Sequence, residues 1–329
     1  MADTIRVIQY GLGPIGCAMA RHVLERPGIA LVGGVDVDPN KVGKDLGQVI
    51  GAGRELGVAV APSLRDVAAQ ADVVLHTTSS YFDLFKNQIV EILQAGFDVV
   101  STAEELSFPS PEHASAAQEI DAAAKRAGKT ALGTGVNPGF LMDSLPLSLT
   151  AISQRVDHIS VLRLMNASHR RGPFQAKIGC GMTVAQFNQK MAEGRMGHVG
   201  LVQSVGMVFD TLGKQLTKFE TTVEAVVAEK PVKTDFFDVQ PGFVRGLKQV
   251  ARGYAPDGEF MLLTFIAALG EPDDHDLITI RGKPELQVKL TGTNGDIATI
   301  AITVNAIKRV RQAAPGLVTM RDLPIVTIW

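Results

Sequence analysis

The 329-residue chain holds 46% hydrophobic and 20% charged residues with a formal net charge of −2, an ordinary globular balance without the basic excess that recruits nucleic acid or an anionic membrane surface. No unbroken apolar run approaches the roughly twenty residues that span a bilayer, and a strand pattern begins within a few residues of Met1, leaving no room for a signal peptide, so a cytoplasmic location is expected. Two cysteines, Cys17 and Cys180, exclude a disulfide scaffold and read as packing residues.

The apolar run 5–10 predicts a first strand, and it leads directly into Gly11-Leu12-Gly13-Pro14-Ile15-Gly16 at the start of a helical pattern. The three glycines answer different demands. Gly11 permits the sharp turn, Gly13 lets a pyrophosphate approach the backbone, and Gly16 lets the helix pack close to the sheet. The phosphates would meet the helix N-terminus, where the backbone N–H groups favour anions. Residues 29–35 predict the second strand, ending at Asp36, twenty positions beyond Gly16. A carboxylate there accepts hydrogen bonds from the adenosine ribose and repels a 2′-phosphate, which favours NAD; nearby Lys41 keeps NADP open.

Valine-rich runs at 73–78 and 97–102 predict further buried strands, and 130–134 one more. Between them, 63–70, 81–95 and 111–127 carry helical patterns, while 51–60 looks like an excursion from the repeat. Alternating strands and helices with short connections imply an α/β fold, a Rossmann doubly wound parallel sheet covered on both faces, over residues 1–135. The turn Gly135-Val136-Asn137-Pro138-Gly139 then delivers the chain into a helix expected near Phe140. Beyond it, strand patterns at 158–164, 221–227, 259–268, 277–281 and 284–290 and helices at 183–193 and 201–213 predict a second α+β domain, residues 136–305, on a largely antiparallel sheet. A long helix is expected at 297–313, and the segment 306–329 is expected to return to the first domain.

Ligands of open parallel sheets bind beyond the carboxyl ends of the strands. Besides the glycine loop and Asp36, those ends carry Thr77, Thr78 and Ser79 after one strand and Thr102, Glu104 and Glu105 after another. A carboxylate in that last corner, partly desolvated, is suited to exchanging protons with an amine or carbonyl, or to stabilising an iminium cation; an acidic start to a local helix is the competing account. In the second domain, the stretch from Arg163 to Lys177 gathers polar donors and Phe174 in a short loop, either a pocket wall or a basic surface loop. No His, Cys or carboxylate grouping has metal-ligand spacing, and no metal is expected.

These motifs together resemble the 2,4-diaminopentanoate dehydrogenase family and the related native amine dehydrogenases, which share an architecture with dihydrodipicolinate reductase. The resemblance rests on residues 11–16, on Ser101-Thr102-Ala103-Glu104-Glu105-Leu106, on 133–140, on 166–177 with Gly179 and Gly181, on Gly197-His198-Val199-Gly200, and on 315–320 with Asp322-Leu323-Pro324. It implies that Glu104 is the catalytic carboxylate, with Glu105 the fallback. Asn137 would help hold the nicotinamide beside a cofactor set of Gly11, Gly13, Pro14, Ile15, Gly16, Asp36, Thr77, Thr78, Ser79 and Thr102, while Phe140, Arg163, Asn166 and Phe174 would line the substrate pocket. The implied reaction is reversible reductive amination of a small ketone or aldehyde with ammonia, by a homodimer formed through the second-domain sheet. Arg163, Arg170 and Arg171 keep a carboxylated substrate of the diaminopentanoate kind open. The paired histidines and lysine of dihydrodipicolinate reductase are missing, as is the Glu-Lys-Pro lysine of the glucose–fructose oxidoreductase group, whose corner here reads Glu104-Glu105-Leu106. A nucleotide-sensing regulator without turnover is the rival of another class.

Overall fold

Runs of valine, isoleucine and leucine without polar alternation satisfy a strand only when both faces are covered, and the first part of the chain is built that way. The computed structural model describes residues 4–194 and 196–329, in two compact units: one runs to Phe140 and resumes over Asn294–Trp329, the other is Leu141–Thr293.

The first unit opens with β1 (Ile5–Tyr10), α1 (Pro14–Glu25), β2 (Ile29–Val35), α2 (Leu46–Ile50), β3 (Val60–Ala61), β4 (Val73–His76), α3 (Phe82–Gln94), β5 (Asp98–Ser101), α4 (Ala114–Ala127) and β6 (Thr130–Gly133). The chain then forms the second unit from α5 (Ser144–Thr150), β7 (Arg155–Asn166), α6 (Gly172–Lys177), α7 (Val184–Ala192), α8 (Leu201–Thr211), β8 (Lys218–Val227), β9 (Val232–Lys233), β10 (Asp238–Val239), β11 (Val244–Ala255), β12 (Gly258–Ala268), β13 (His275–Lys283) and β14 (Leu286–Thr291). It returns to the first unit with α9 (Gly295–Val310) and β15 (Gly316–Val318).

The first sheet is seven-stranded in the order β15-β6-β5-β4-β1-β2-β3, and every pairing in it is parallel. On one face, Val7, Leu75 and Val100 pack with Met19 and Val23 of α1 and Val304, Ile307 and Val310 of α9. On the other, Ile8, Val74 and Val99 pack with Phe85, Ile89 and Ile92 of α3 and Ile120 and Ala124 of α4. The crossovers therefore change face between β1 and β4, and the glycine loop follows β1 at that switch.

The second sheet is six-stranded, β14-β13-β7-β12-β11-β8, with four antiparallel pairings and a parallel one between β7 and β12. Its inner face supplies Ile159, Val161, Leu263 and Ile278 to a core completed by Phe187 of α7 and Val205 and Phe209 of α8. The opposite face places Leu162 level with Leu277 and Thr264, and Leu164 level with Ile266, all half-buried.

Several expectations are corrected. The helix expected at 63–70 is a single 3-10 turn, Leu64–Asp66, because Ser63 Oγ donates to Asp66 Oδ2 at 2.6 Å and Val67 is already extended. The excursion at 51–60 is held by Asp45, whose carboxylate accepts from the N–H groups of Gly47, Leu56, Gly57 and Val58, and it delivers the edge strand β3. The helix expected near Phe140 starts at Ser144, whose N–H donates to the Asp143 cap at 2.6 Å. The patterning leaves β11 unassigned, since Gly246 and Gly253 interrupt its alternation. Both glycines answer close approach: a Cβ would lie 2.1 Å from Ala267 O at Gly246 and 2.6 Å from Val205 Cγ1 at Gly253. The return to the first unit begins at Asn294 rather than at 306, because α9 buries its apolar face there.

That burial is testable. Ile307 is fully buried in the first-unit core, so Ile307→Ala is expected to cost about 2–5 kcal/mol of stability. Urea unfolding followed by the fluorescence of the single tryptophan checks it, since Trp329 Nε1 donates to Asn305 O of α9 at 3.1 Å.

Candidate active site

The carboxyl ends of the parallel strands continue one residue past the ladder. Thr77 N donates to Tyr10 O at 2.8 Å, Thr102 N to His76 O at 3.0 Å and Thr134 N to Ser101 O at 2.8 Å, so Gly11, Thr77, Thr102 and Thr134 form one row along the sheet edge. Gly11 turns there with φ +90°, and a Cβ would lie 2.6 Å from Thr77 O. At Gly16 a Cβ would lie 1.9 Å from Gly11 O and 2.6 Å from Thr77 Oγ1. The Thr77 hydroxyl closes this knot by donating to Gly11 O at 2.8 Å while accepting from Gln9 Nε2 at 2.9 Å. Gly13 is different in kind, with nothing within 4 Å of an added Cβ. It precedes α1, whose N-cap offers no side-chain hydrogen bond and whose first turn has Pro14 and no acid. The loop is thus tight where it packs and open where an anion would lie over the helix N-terminus, and a dinucleotide phosphate fits it.

Asp36 follows β2 with its side chain 10% exposed. Its Oδ2 accepts from Leu12 N at 2.8 Å and Lys41 Nζ at 3.1 Å, and its Oδ1 from Asp38 N at 2.9 Å. Burial pushes its pKa up, but the Asp38 and Leu12 N–H groups and the Lys41 ammonium together outweigh this and hold it below the usual carboxylate value. Its charge is present at neutral pH.

At the end of β4, His76 is fully buried and bonded at both ring nitrogens: Nδ1 to Ser101 Oγ at 2.8 Å, and Nε2 to Gln88 Oε1 at 2.8 Å and Thr78 Oγ1 at 2.9 Å. Burial lowers its pKa to about 4, against the opposing bond to Gln88, so the ring is neutral. With Nε2 donating to the amide oxygen, Nδ1 accepts from the Ser101 hydroxyl, which itself accepts from Ala103 N at 3.1 Å. This chain ties the β4 tip to the turn that carries the two glutamates.

Those glutamates have separate environments. Glu105 Oε2 accepts from Phe82 N at 2.7 Å, a carboxylate cap on α3, whose own N-cap residue Tyr81 supplies no side-chain bond. It lines a cleft of about 540 Å³ with Phe82, Lys86 and His113, and His113 Nε2 is 3.8 Å from the carboxylate. Glu104 opens the 3-10 turn Glu104–Leu106 and is half-buried; its carbonyl accepts from Ser107 N at 3.1 Å and Ser107 Oγ at 2.7 Å. Asn137 is buried in the turn after β6, which is tied to α9 by Val136 N donating to Thr299 Oγ1 at 3.2 Å.

In the second unit, Arg163 is 3% exposed on the inner face of β7, its Nη1 3.4 Å from Asp276 Oδ1 on β13. Burial lowers its pKa, and Asp276 and Asp274 oppose that shift. The expectation that Arg163 lines a pocket is thereby corrected: strand alternation turns it inward to a buried acid. Asn166 Oδ1 accepts from Ser168 N at 3.0 Å, shaping the turn after β7. Phe174 of α6 lies under the Arg170 guanidinium at 4.4 Å from the ring centre. Phe140, 37% exposed, closes the first unit's first stretch. Cys180 is buried, its thiol donating to Arg245 O at 3.4 Å, and burial pushes its pKa up to about 12, so it remains a neutral packing group.

Residues 140–329 match the family described as the 2,4-diaminopentanoate dehydrogenase C-terminal domain, which is more than half of the chain. The chain belongs to the 2,4-diaminopentanoate dehydrogenase family. Residues 5–104 match the N-terminus of dihydrodipicolinate reductase. The chain is 32% identical to the 2,4-diaminopentanoate dehydrogenase of Acetoanaerobium sticklandii, with 98% of this chain and 94% of that protein covered. It is 25% identical to an amine dehydrogenase of Streptomyces virginiae, with 98% and 96% covered. The structure of an amine dehydrogenase from Mycobacterium smegmatis superposes with a TM-score of 0.87 at 25% identity, covering 99% of this chain and 97% of that one. These relatives are oxidoreductases acting on CH–NH₂ groups, and the first unit of this family member has the Rossmann-type fold of NAD(P)-dependent dehydrogenases.

Within this family member, the structure gathers the glycine loop, Asp36, Thr77, Thr102 and the two glutamates at one sheet edge. The hydroxyls of the three residues expected at the cofactor after β4 also bond within the protein: Thr77 in the glycine knot, Thr78 to His76 and Gln88, and Ser79 as an acceptor for Tyr81 N at 3.2 Å. The His76, Gln88 and Ser101 network is not legible in the sequence, because its members are distant along the chain and no motif spacing links them.

Proposed function

We propose that this protein is an NAD(P)-dependent amine dehydrogenase that interconverts a small ketone or aldehyde plus ammonia with the corresponding amine. The observation that carries the reading is the division of labour after β5. Glu105 caps the α3 N-terminus, and proton handling is assigned to Glu104, half-buried on the same turn at the carboxyl end of β5. The nicotinamide, when bound, supplies or accepts a hydride at its C4 carbon. Glu104, protonated at the outset, donates to the carbonyl oxygen as ammonia adds, takes a proton back from the nitrogen and gives it to the hydroxyl, which leaves as water as the C–O bond breaks; left ionised, it stabilises the iminium cation. Phe140, 37% exposed at the end of the first unit's first stretch, supplies apolar surface that suits a plain carbonyl compound. Asp36, held ionised beside the glycine loop, favours NAD. A second reading, a carboxylated diamine, is supported by the 32% identity to the A. sticklandii enzyme and by Arg170 and Arg171 beyond β7.

The test is an NADH and NADPH oxidation screen with ketones, aldehydes and keto acids at high ammonia. Turnover with plain ketones or aldehydes supports the proposal, a clear preference for keto acids moves it to the second reading, and cofactor binding without any turnover leaves only a sensor. A second copy of the chain is proposed to cover the apolar outer face of the second sheet around Leu162, Leu164, Ile266 and Leu277. Light scattering is then expected to give twice the 35.0 kDa chain mass, and Leu164→Glu to return it to the monomer value.

A further inference from the structure

We propose that His76 is a positioning residue for the reaction, acting through the Ser101 hydroxyl on the backbone from which Glu104 projects; the inference rests on reading Glu104 as the proton-handling carboxylate. His76 and Ser101 end the neighbouring strands β4 and β5 at matched positions of the parallel ladder, and both are fully buried. The imidazole serves partners on two sides. Toward α3, Nε2 lies 2.8 Å from Gln88 Oε1 and 2.9 Å from Thr78 Oγ1; toward β5, Nδ1 lies 2.8 Å from Ser101 Oγ. Thr78 Oγ1 itself donates to Gln88 Oε1 at 2.7 Å, so the single N–H of the neutral ring serves the α3 side and Nδ1 is left as an acceptor. The Tyr10 and Phe85 rings, with centres 5.6 Å and 6.4 Å away, pack against the imidazole.

With its proton given to Nδ1, the Ser101 hydroxyl turns a lone pair to Ala103 N, 3.1 Å away. Ala103 is buried and caps the 3-10 turn Glu104–Leu106 with φ −65° and ψ 113°, offering no side-chain bond of its own. Its N–H therefore depends on that hydroxyl for a partner. Leu106 N closes the turn onto Ala103 O at 3.1 Å, and Glu105 N reaches back to Ser80 O, beyond β4, at 3.3 Å. Glu104 is thus tied on both sides to the β4 end. Without an acceptor at Nδ1 the hydroxyl rotates, the bond to Ala103 N loses its fixed direction, and the turn shifts; a misplacement of about 1 Å at a reacting group costs on the order of 10²-fold in rate.

Steady-state kinetics of the intact protein tests this, with NADH, saturating ammonia and the carbonyl compound turned over fastest in the screen above; thermal melts run beside it. The side-chain oxygen of asparagine reaches the place of Nδ1, whereas the end of glutamine reaches the place of Nε2. His76→Asn is therefore expected to keep kcat within about 3-fold of wild type, while His76→Gln and Ser101→Ala lose ~10-fold or more, all with KM for NADH within about 3-fold. A packing role ranks the two the other way, because glutamine is nearer to histidine in size. Higher kcat in His76→Gln than in His76→Asn, or wild-type kcat in Ser101→Ala where Glu104→Gln has lost it, overturns the inference. Should the His76 variants melt below the assay temperature, Ser101→Ala decides it. Undiminished turnover in Glu104→Gln instead overturns the reading of Glu104 itself.

Discussion

Glu104→Gln is expected to lower turnover in the amination direction by about 10²- to 10⁴-fold, the usual contribution of one positioned acid–base group, while dissociation constants for NADH and NADPH stay within about 3-fold. Glutamine keeps the size and hydrogen-bonding ends of the side chain but neither binds a mobile proton nor stabilises a cation. Glu105→Gln is expected to behave in the opposite way. Its carboxylate caps α3 through Phe82 N at 2.7 Å, so neutralising it costs about 1 kcal/mol of stability and leaves turnover nearly intact. Steady-state kinetics at saturating ammonia, together with thermal melts and nucleotide titrations, separates the two. Loss of turnover in Glu105→Gln with Glu104→Gln still active would reverse the roles; loss in neither would remove the catalytic corner altogether.

The second large effect concerns two glycines three residues apart with different reasons for being glycine. Gly16 has no room, since a Cβ would lie 1.9 Å from Gly11 O. Gly16→Ala must push the glycine loop and α1 apart, and is expected to cost about 1–3 kcal/mol or more through overpacking and to lower nucleotide affinity as a consequence. Gly13 has room and an extended backbone, φ −68° and ψ −176°, that alanine adopts readily. Gly13→Ala is therefore expected to leave stability unchanged or raise it by about 0.4–1 kcal/mol. Its methyl group would occupy the space left for the pyrophosphate and weaken NADH by ~10- to 100-fold, equivalent to about 1.4–2.8 kcal/mol. A Gly13→Ala protein that melts like wild type and binds NADH equally well would show that the open space over α1 is not a phosphate site.

The parallel sheet was legible because its strands are buried on both faces and so read as continuous apolar runs. The glycine loop was legible because its constraints fall on residues adjacent in the chain. The corner after β5 was only half legible. Spacing placed Glu104 and Glu105 at a strand end, but two neighbouring glutamates are indistinguishable until α3 is in place to claim one of them. Arg163 shows the same limit from the other side. It sits in a polar, basic stretch that suggests a pocket wall, yet strand alternation turns it inward to Asp276, 113 positions further along the chain and 3.4 Å away.

What the amino-acid order determined by itself was local: the turn-forming glycines, the acid after β2, the strand and helix periods, and the motifs that mark the family. These follow from backbone sterics and hydrophobic period, which act over a few residues. The tertiary structure alone decided which polar groups are spent on the fold. Thr77 locks the glycine knot, Thr78 and Ser101 hold His76, Glu105 caps α3 and Lys41 bridges Asp36 and Asp38. A buried or half-buried polar group must find a partner wherever the chain brings one, and most of these partners arrive from a different strand or helix.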